Sequence, residues 1–342
     1  MSQSKQSVQT PRPNLTVVRR HAQAKRMVDT KSLDKPTWLA YRQKGIGSSD
    51  AGAAVGLNPY KSQLALWMEK TGRSIQPVSD EEPDQDSALH WGTVLEPIVA
   101  KQYALRTGHK VRRVNAILQH PTHPWMLANL DREVIGDNEV QVLECKTAGI
   151  NGAKLWRNGV PEYVQVQVMH QLAVTGQQAA DVAVLIGGQK LEIHRIERDE
   201  AMIEKIIQLE AAFWEYVKND TPPPADHTDS AAKALQYLYP TDNSDTVDFS
   251  ENAKLNQVYD DLVTIRLKIS ELQKLEAQCK HSIQESMQQA SVALFANGKV
   301  TWKQSNSRQV LDTKALKKDY GELCDQYLVE QAGSRRFLVY AA

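Results

Sequence analysis

The chain has 342 residues with 41 Lys plus Arg against 41 Asp plus Glu, so it carries no formal net charge. That balance argues against a uniformly basic nucleic-acid-coating protein, and three widely spaced cysteines, Cys145, Cys279 and Cys324, exclude a disulfide framework or a cysteine-based zinc module. No apolar run is long enough for a signal peptide or a membrane span, so a cytoplasmic protein of more than one domain is expected.

Residues 1–36 hold eight Lys/Arg against two acids. Residues 1–33 read as a basic, flexible leader, and the sharper alternative is an arm that touches DNA. From Asp34 the pattern tightens. Asp34 is an N-cap before the helix that carries Trp38 and Arg42. The small-residue run Gly45–Leu57 opens a short Ala-rich helix, whose start offers N–H groups to an anion, although many such starts are plain turns. Asn58-Pro59-Tyr60 stops it, and Ser62–Lys70 forms an amphipathic helix. The acidic stretch 79–86 reads as a solvated loop rather than a metal site.

Apolar residues recur at helical spacing from Ala88 to Thr107, with Glu96 among them. Glu96 reads either as a helix-edge residue that reaches water or as a ligand of a metal or its water. Val111–Leu118 predicts a strand, and His120 and His123 sit in a proline-flanked turn rather than a metal site. Two extended segments then follow, Trp125–Gly136 and Val140–Ala148. Along a strand the side chains alternate, so Glu144 and Lys146 share one face while Leu143 and Cys145 point into a core. Asp131, on the preceding segment, would make with them a compact site for a hard divalent cation, which takes carboxylate, phosphate and water oxygens.

Residues 163–174 fit either a helical stripe or a strand alternation, and Thr175-Gly176 as a stop favours the helix. On that helix Gln165 and Gln171 lie on different faces, so one of them is expected to enter the site. Ala180–Ile186, the Gly187-Gly188 turn and Leu191–Ile196 read as a hairpin, and Glu200–Lys218 as an amphipathic helix that ends at Pro222-Pro223-Pro224. The core domain is therefore expected at 34–224. Beyond it, 225–342 reads as a helical extension with a short strand near 299–303. Apolar residues from Leu255 to Ile283 form a heptad-like seam interrupted at Glu276, which suits a helix packed on its own domain or in a helical hairpin better than an intermolecular coiled coil. The locally basic tail beyond it is a solvated face or a DNA contact.

These elements make an α/β unit, a strand meander covered by helices. A carboxylate pair beside a lysine suits phosphodiester hydrolysis. Read in order, the residues resemble the YqaJ-type viral recombinases, the lambda-exonuclease branch of the PD-(D/E)-x-K nucleases. The resemblance runs over about 34–224 and is carried by Trp38-x-x-x-Arg42, Gly45-Ile46-Gly47-Ser48-Ser49-Asp50, Leu57-Asn58-Pro59-Tyr60, Trp91-Gly92, Leu95-Glu96-Pro97, Asn129-Leu130-Asp131, Leu143-Glu144-Cys145-Lys146 and Gln165-Val166-Gln167. Leu130 stands where the motif usually has proline.

The resemblance implies a restriction-endonuclease-like core, a central mixed sheet flanked by helices. It also implies a Mg²⁺-dependent 5′→3′ exonuclease, with Mn²⁺ as a substitute, that exposes a 3′ overhang on linear double-stranded DNA for single-strand-annealing recombination. Asp131, Glu144 and the Cys145 main-chain carbonyl would hold metal, with Glu96 on a second metal or its water. Lys146 would position the attacking water. Arg42, Ser49, Gln165 and Asn129 would line the pocket for the terminal 5′-phosphate or the scissile phosphate. A homotrimeric ring and a single-strand annealing protein as partner are implied as well. The rival readings are a sequence- or structure-specific DNA endonuclease of the same superfamily and a non-catalytic DNA-end-binding protein.

Overall fold

Residues 24–73, 87–330 and 333–340 are described by the computed structural model. They fall into two units, Met1–Leu238 and Tyr239–Ala342. The acidic stretch 79–86 and most of the expected leader lie outside the described residues.

The first unit begins with a correction. Lys25–Asp29, expected within a flexible leader, is a strand, β1. It pairs antiparallel with a later strand, Ala116–Gln119, through a register shift between Arg26 and Val28. Its polar composition concealed this, because the stabilising partner is distant in sequence. Helix α1 (Lys35–Gln43) follows, started by Asp34, which accepts the Thr37 N–H at 2.8 Å. Next come β2 (Ile46–Gly47), α2 (Ser48–Ala54), α3 (Gln63–Lys70) and α4 (Ala88–Thr107). Ser62 and Ser87 cap α3 and α4 by accepting N–H groups of the first turn, each at 3.1 Å. Gly108, at φ 76°, ends α4 in the left-handed conformation that a side chain would disfavour.

The strand expected at Val111–Leu118 is two strands, β3 (Lys110–Arg113) and β4 (Ala116–Gln119). The chain changes sheets between them, where the Asn115 carbonyl accepts from the Thr30 N–H at 3.1 Å and from Arg26 at 3.0 Å. Then follow β5 (Met126–Ala128), β6 (Arg132–Ile135), β7 (Val142–Ala148), α5 (Glu162–Thr175), β8 (Ala179–Ile186), β9 (Lys190–Glu197), α6 (Glu200–Lys218) and α7 (Asp229–Leu238). One sheet has the order β3-β6-β7-β8-β9 and is mixed, with β7 and β8 parallel and the other pairs antiparallel. The other has the order β1-β4-β5-β2, with β2 and β5 parallel.

Helices cover both faces of the five-stranded sheet. On one, Leu143 and Cys145 of β7 pack with Val99, Ala100 and Tyr103 of α4. On the other, Val142 and Ala148 pack with Val164, Val168 and Leu172 of α5, backed by Ile203 and Ile206 of α6. Helix α5 is buried almost all round, which is why Val164, Val166 and Val168 read equally well as a strand. The unit also extends past the boundary expected at 224. Helix α7 buries Ala231 and Ala234, and its Ser230 hydroxyl accepts the Ser62 N–H at 3.0 Å.

The second unit holds α8 (Ala253–Met287), a hairpin of β10 (Val292–Phe295) and β11 (Gly298–Thr301), α9 (Thr313–Asp319) and α10 (Gly321–Asp325). It is mainly helical, as expected, and β10 supplies an unanticipated partner for the predicted strand. Of α8 only Met287 is buried, so the seam from Leu255 to Leu272 is not packed into a helical hairpin.

Candidate active site

The alternation of β7 sends Glu144 and Lys146 toward α5, and the two side chains meet at 2.7 Å. Helix α5 completes the arrangement with residues one turn apart. Gln167 donates to Glu144 Oε1 at 2.6 Å and accepts from Lys146 Nζ at 2.9 Å, while Gln171 donates to Glu144 Oε2 at 2.7 Å. Asp131 enters from the turn between β5 and β6, and its carboxylate accepts the Cys145 N–H at 2.9 Å. This bond ties the Asp131 side chain to the backbone of the strand that bears Glu144.

Asp131, Glu144, Cys145, Lys146 and Gln167 line a cavity of about 340 Å³, together with Arg42, Ser49, Glu96 and Asn129. Arg42 lies over the Trp38 ring at 4.9 Å and donates to Ser49 Oγ at 2.9 Å and to Asp50 Oδ2 at 2.7 Å. Asn129 lines the cavity while its amide donates to the Ala116 carbonyl at 3.2 Å. Glu96 accepts from Arg132 at 2.5 Å and from Arg113 at 3.3 Å. Arg132 also donates to the Asp131 carbonyl at 2.6 Å, which bridges α4 to the turn bearing Asp131.

Gln165 is the exception among the expected residues. Its amide donates to the Val160 carbonyl at 2.6 Å, and it does not line the cavity. The face of α5 toward β7 is that of Gln167 and Gln171, and Gln165 lies about 200° around the helix from Gln167. Residues 167 and 171 differ by one turn and so share this face, but a helix buried on nearly every side does not reveal which face meets β7. Arg132 and Asp50 were also not singled out.

Burial, reinforced by the negative charge of Glu144, pushes Asp131 up to about 8. Burial opposes the Lys146 ammonium, but the adjacent Glu144 carboxylate more than offsets it and holds Lys146 above its usual value. Burial likewise raises the Cys145 thiol, which stays neutral and points into the core, leaving its main-chain carbonyl as the available donor.

Among the described residues no group of three or more His, Cys, Asp or Glu side chains is gathered for metal binding. The donor set is two carboxylates and a peptide carbonyl, which fits a hard cation that keeps some waters and takes phosphate oxygens. Burial, with the Glu144 charge added to it, disfavours the Asp131 carboxylate, and such a cation would offset both. Glu96, engaged by two guanidinium groups, is less available to it. His120 accepts the Thr122 and His123 N–H groups at 3.2 and 3.1 Å and so caps its own turn.

A family model described as the YqaJ-like viral recombinase domain matches residues 37–178, a span that includes the residues of this cavity. The Bacillus subtilis (strain 168) protein described as "Uncharacterized protein YqaJ" is 37% identical over 311 residues, or 89% of this chain and 94% of the relative. Among solved structures, the alkaline exonuclease LHK-Exo from Laribacter hongkongensis is 23% identical with a TM-score of 0.44, over 54% of this chain and 94% of that one. A phage-related exonuclease from Haemophilus somnus 129PT is 11% identical with a TM-score of 0.39, over 51% of this chain and 94% of that one. No helix among the described residues is long and apolar enough to cross a membrane. Because the identity to the Bacillus protein is sustained along nearly all of both chains, this chain belongs to the YqaJ-like viral recombinase family.

Proposed function

We propose that the chain is a Mg²⁺-dependent 5′→3′ exonuclease. It would degrade one strand of linear double-stranded DNA and leave a 3′ overhang for single-strand annealing. One observation carries this reading: the Asp131/Glu144/Lys146 group and the Arg42–Ser49 pair share one cavity. A site that hydrolyses a phosphodiester at a chain end needs both a reaction centre and a phosphate grip at fixed separation.

Asp131, Glu144 and the Cys145 carbonyl would hold the cation, which when bound would polarise the phosphate and acidify water. Lys146 stays protonated, so it serves as a fixed cation and donor that orients the nucleophile rather than as a base. Gln167 and Gln171 hold the Glu144 carboxylate in one rotamer, which fixes where its oxygens point. Arg42 presents a guanidinium fork to a phosphate, with Ser49 beside it. Asn129 lines the same cavity and is assigned to the phosphate by resemblance. A homotrimeric ring and an annealing-protein partner belong to the same proposal.

Incubation of linear and covalently closed circular plasmid with Mg²⁺ tests it. An exonuclease consumes the linear form and spares the circle. Cutting of the circle would instead support an endonuclease, and intact substrate in both cases a DNA-end-binding protein.

A further inference from the structure

Beneath Arg42 lies a buried cluster of charge that the proposed chemistry does not use. Asp50 Oδ2 accepts from both Arg42, at 2.7 Å, and Lys70 Nζ, at 2.8 Å. The Lys70 side chain is 0% exposed and that of Asp50 3%. Lys70 also donates to the main-chain carbonyl of Arg42 at 3.0 Å. Lys61 pairs with Glu69 at 2.6 Å and lies 3.6 Å from Asp50. Three cations, Arg42, Lys61 and Lys70, thus face two carboxylates, Asp50 and Glu69.

The fold alone does not call for this surplus. Arg42 and Asp50 would balance each other, and an apolar residue at 70 would avoid burying an ammonium, which is expensive without full pairing. Burial accordingly lowers the Lys70 pKa despite the nearby Asp50. What Lys70 does is grip Arg42 twice, through its carboxylate partner and through its backbone at the end of α1. Two further walls close around the guanidinium. The Trp38 ring lies 4.9 Å from it, and a side-chain carbon at Gly47 would sit only 3.2 Å from Arg42 Nη2. The excess positive charge reaches the cavity through Arg42, beside the exposed Ser49.

We propose that Lys70 is a positioning residue that, through Asp50 and the Arg42 carbonyl, presents the Arg42 guanidinium to a terminal phosphate whose negative charge completes the cluster. This rests on the reading of Arg42 as a phosphate ligand. It adds that affinity for the phosphate is set from behind, by a buried side chain that never touches it.

The test compares kcat/KM on matched linear duplexes bearing 5′-phosphoryl or 5′-hydroxyl ends, with folding followed by circular dichroism. The expected result is that Arg42→Ala loses the preference for the phosphoryl end and that Lys70→Met reduces it about tenfold, chiefly through KM, the effect of one lost charge-assisted contact. If the Met variant does not fold, Lys70→Gln keeps a donor for the Arg42 carbonyl without the charge and should show the same loss. A folded Lys70 variant with the full preference, alongside an Arg42→Ala that has lost it, overturns the role of Lys70 and leaves the reading of Arg42 standing. An Arg42→Ala that keeps the preference overturns both.

Discussion

Replacement of Lys146 by alanine separates chemistry from folding. In the structure its ammonium bonds Glu144 Oε1 at 2.7 Å and Gln167 Oε1 at 2.9 Å, and the side chain is 26% exposed to the cavity. Truncation leaves Glu144 with two amide donors, Gln167 and Gln171, so its carboxylate is not stranded. The stability cost is therefore about 1–2 kcal/mol, that of one partly screened charged contact. For a unit of this size that lowers Tm by about 2–8 °C. Catalysis should suffer far more. A positioned charge that orients the nucleophile or stabilises the transition state contributes about 10²–10³ in rate. The assay is release of acid-soluble nucleotides from linear duplex at a temperature well below the variant's Tm, with the melt recorded on the same preparation. A folded Lys146→Ala that digests within about threefold of the parent would refute the assignment, since it would leave Lys146 less than ~1 kcal/mol of the barrier.

Three further outcomes follow from the geometry. Gln167→Ala should slow digestion by about tenfold or more, since one charged hydrogen bond to Glu144 is lost, whereas Gln165→Ala should stay near the parent rate; equal effects in the same nuclease assay would mean that the Val160 contact of Gln165 is not its working position. His170 is fully buried, and although burial opposes its charge, Glu210 at 2.7 Å holds its proton above the usual imidazole range. That stabilisation is complete below the unfolded pKa of about 6.5 and is lost as pH rises through the folded value, so Tm should fall on the alkaline side, and Glu210→Gln should flatten the fall in a Tm-versus-pH series. Arg42 and Lys146 line the cavity that would receive the DNA end, so duplex binding should weaken steeply between low and moderate salt; affinity by fluorescence anisotropy that stays flat would argue against phosphate-dominated contact.

The positions of Glu144 and Lys146 on one face of a strand were legible because a period of two needs no tertiary information. The helix cap at Asp34 and the Gly176 stop were legible for the same reason, since each acts within one turn. Long-range pairing hid the rest. Lys25–Asp29 is a strand only because Ala116–Gln119 lies beside it. The change of sheet at Asn115 depends on bonds from Thr30 and Arg26, far upstream in the chain. The choice among Gln165, Gln167 and Gln171 depended on how α5 is rotated against β7, which a helix apolar on every side does not reveal. Lys70 read as the polar end of an amphipathic helix. Its burial follows from how α1, α2 and α3 converge on Asp50.

The most direct test of the central claim is digestion of a linear duplex labelled separately on each strand, with 5′-phosphoryl or 5′-hydroxyl ends, in Mg²⁺ and in EDTA. The account predicts Mg²⁺-dependent release of nucleotides from 5′ ends, faster where the end is phosphorylated, with each 3′-terminal label retained on a growing overhang. Loss of the 3′ label first, or digestion that persists in EDTA, would contradict it.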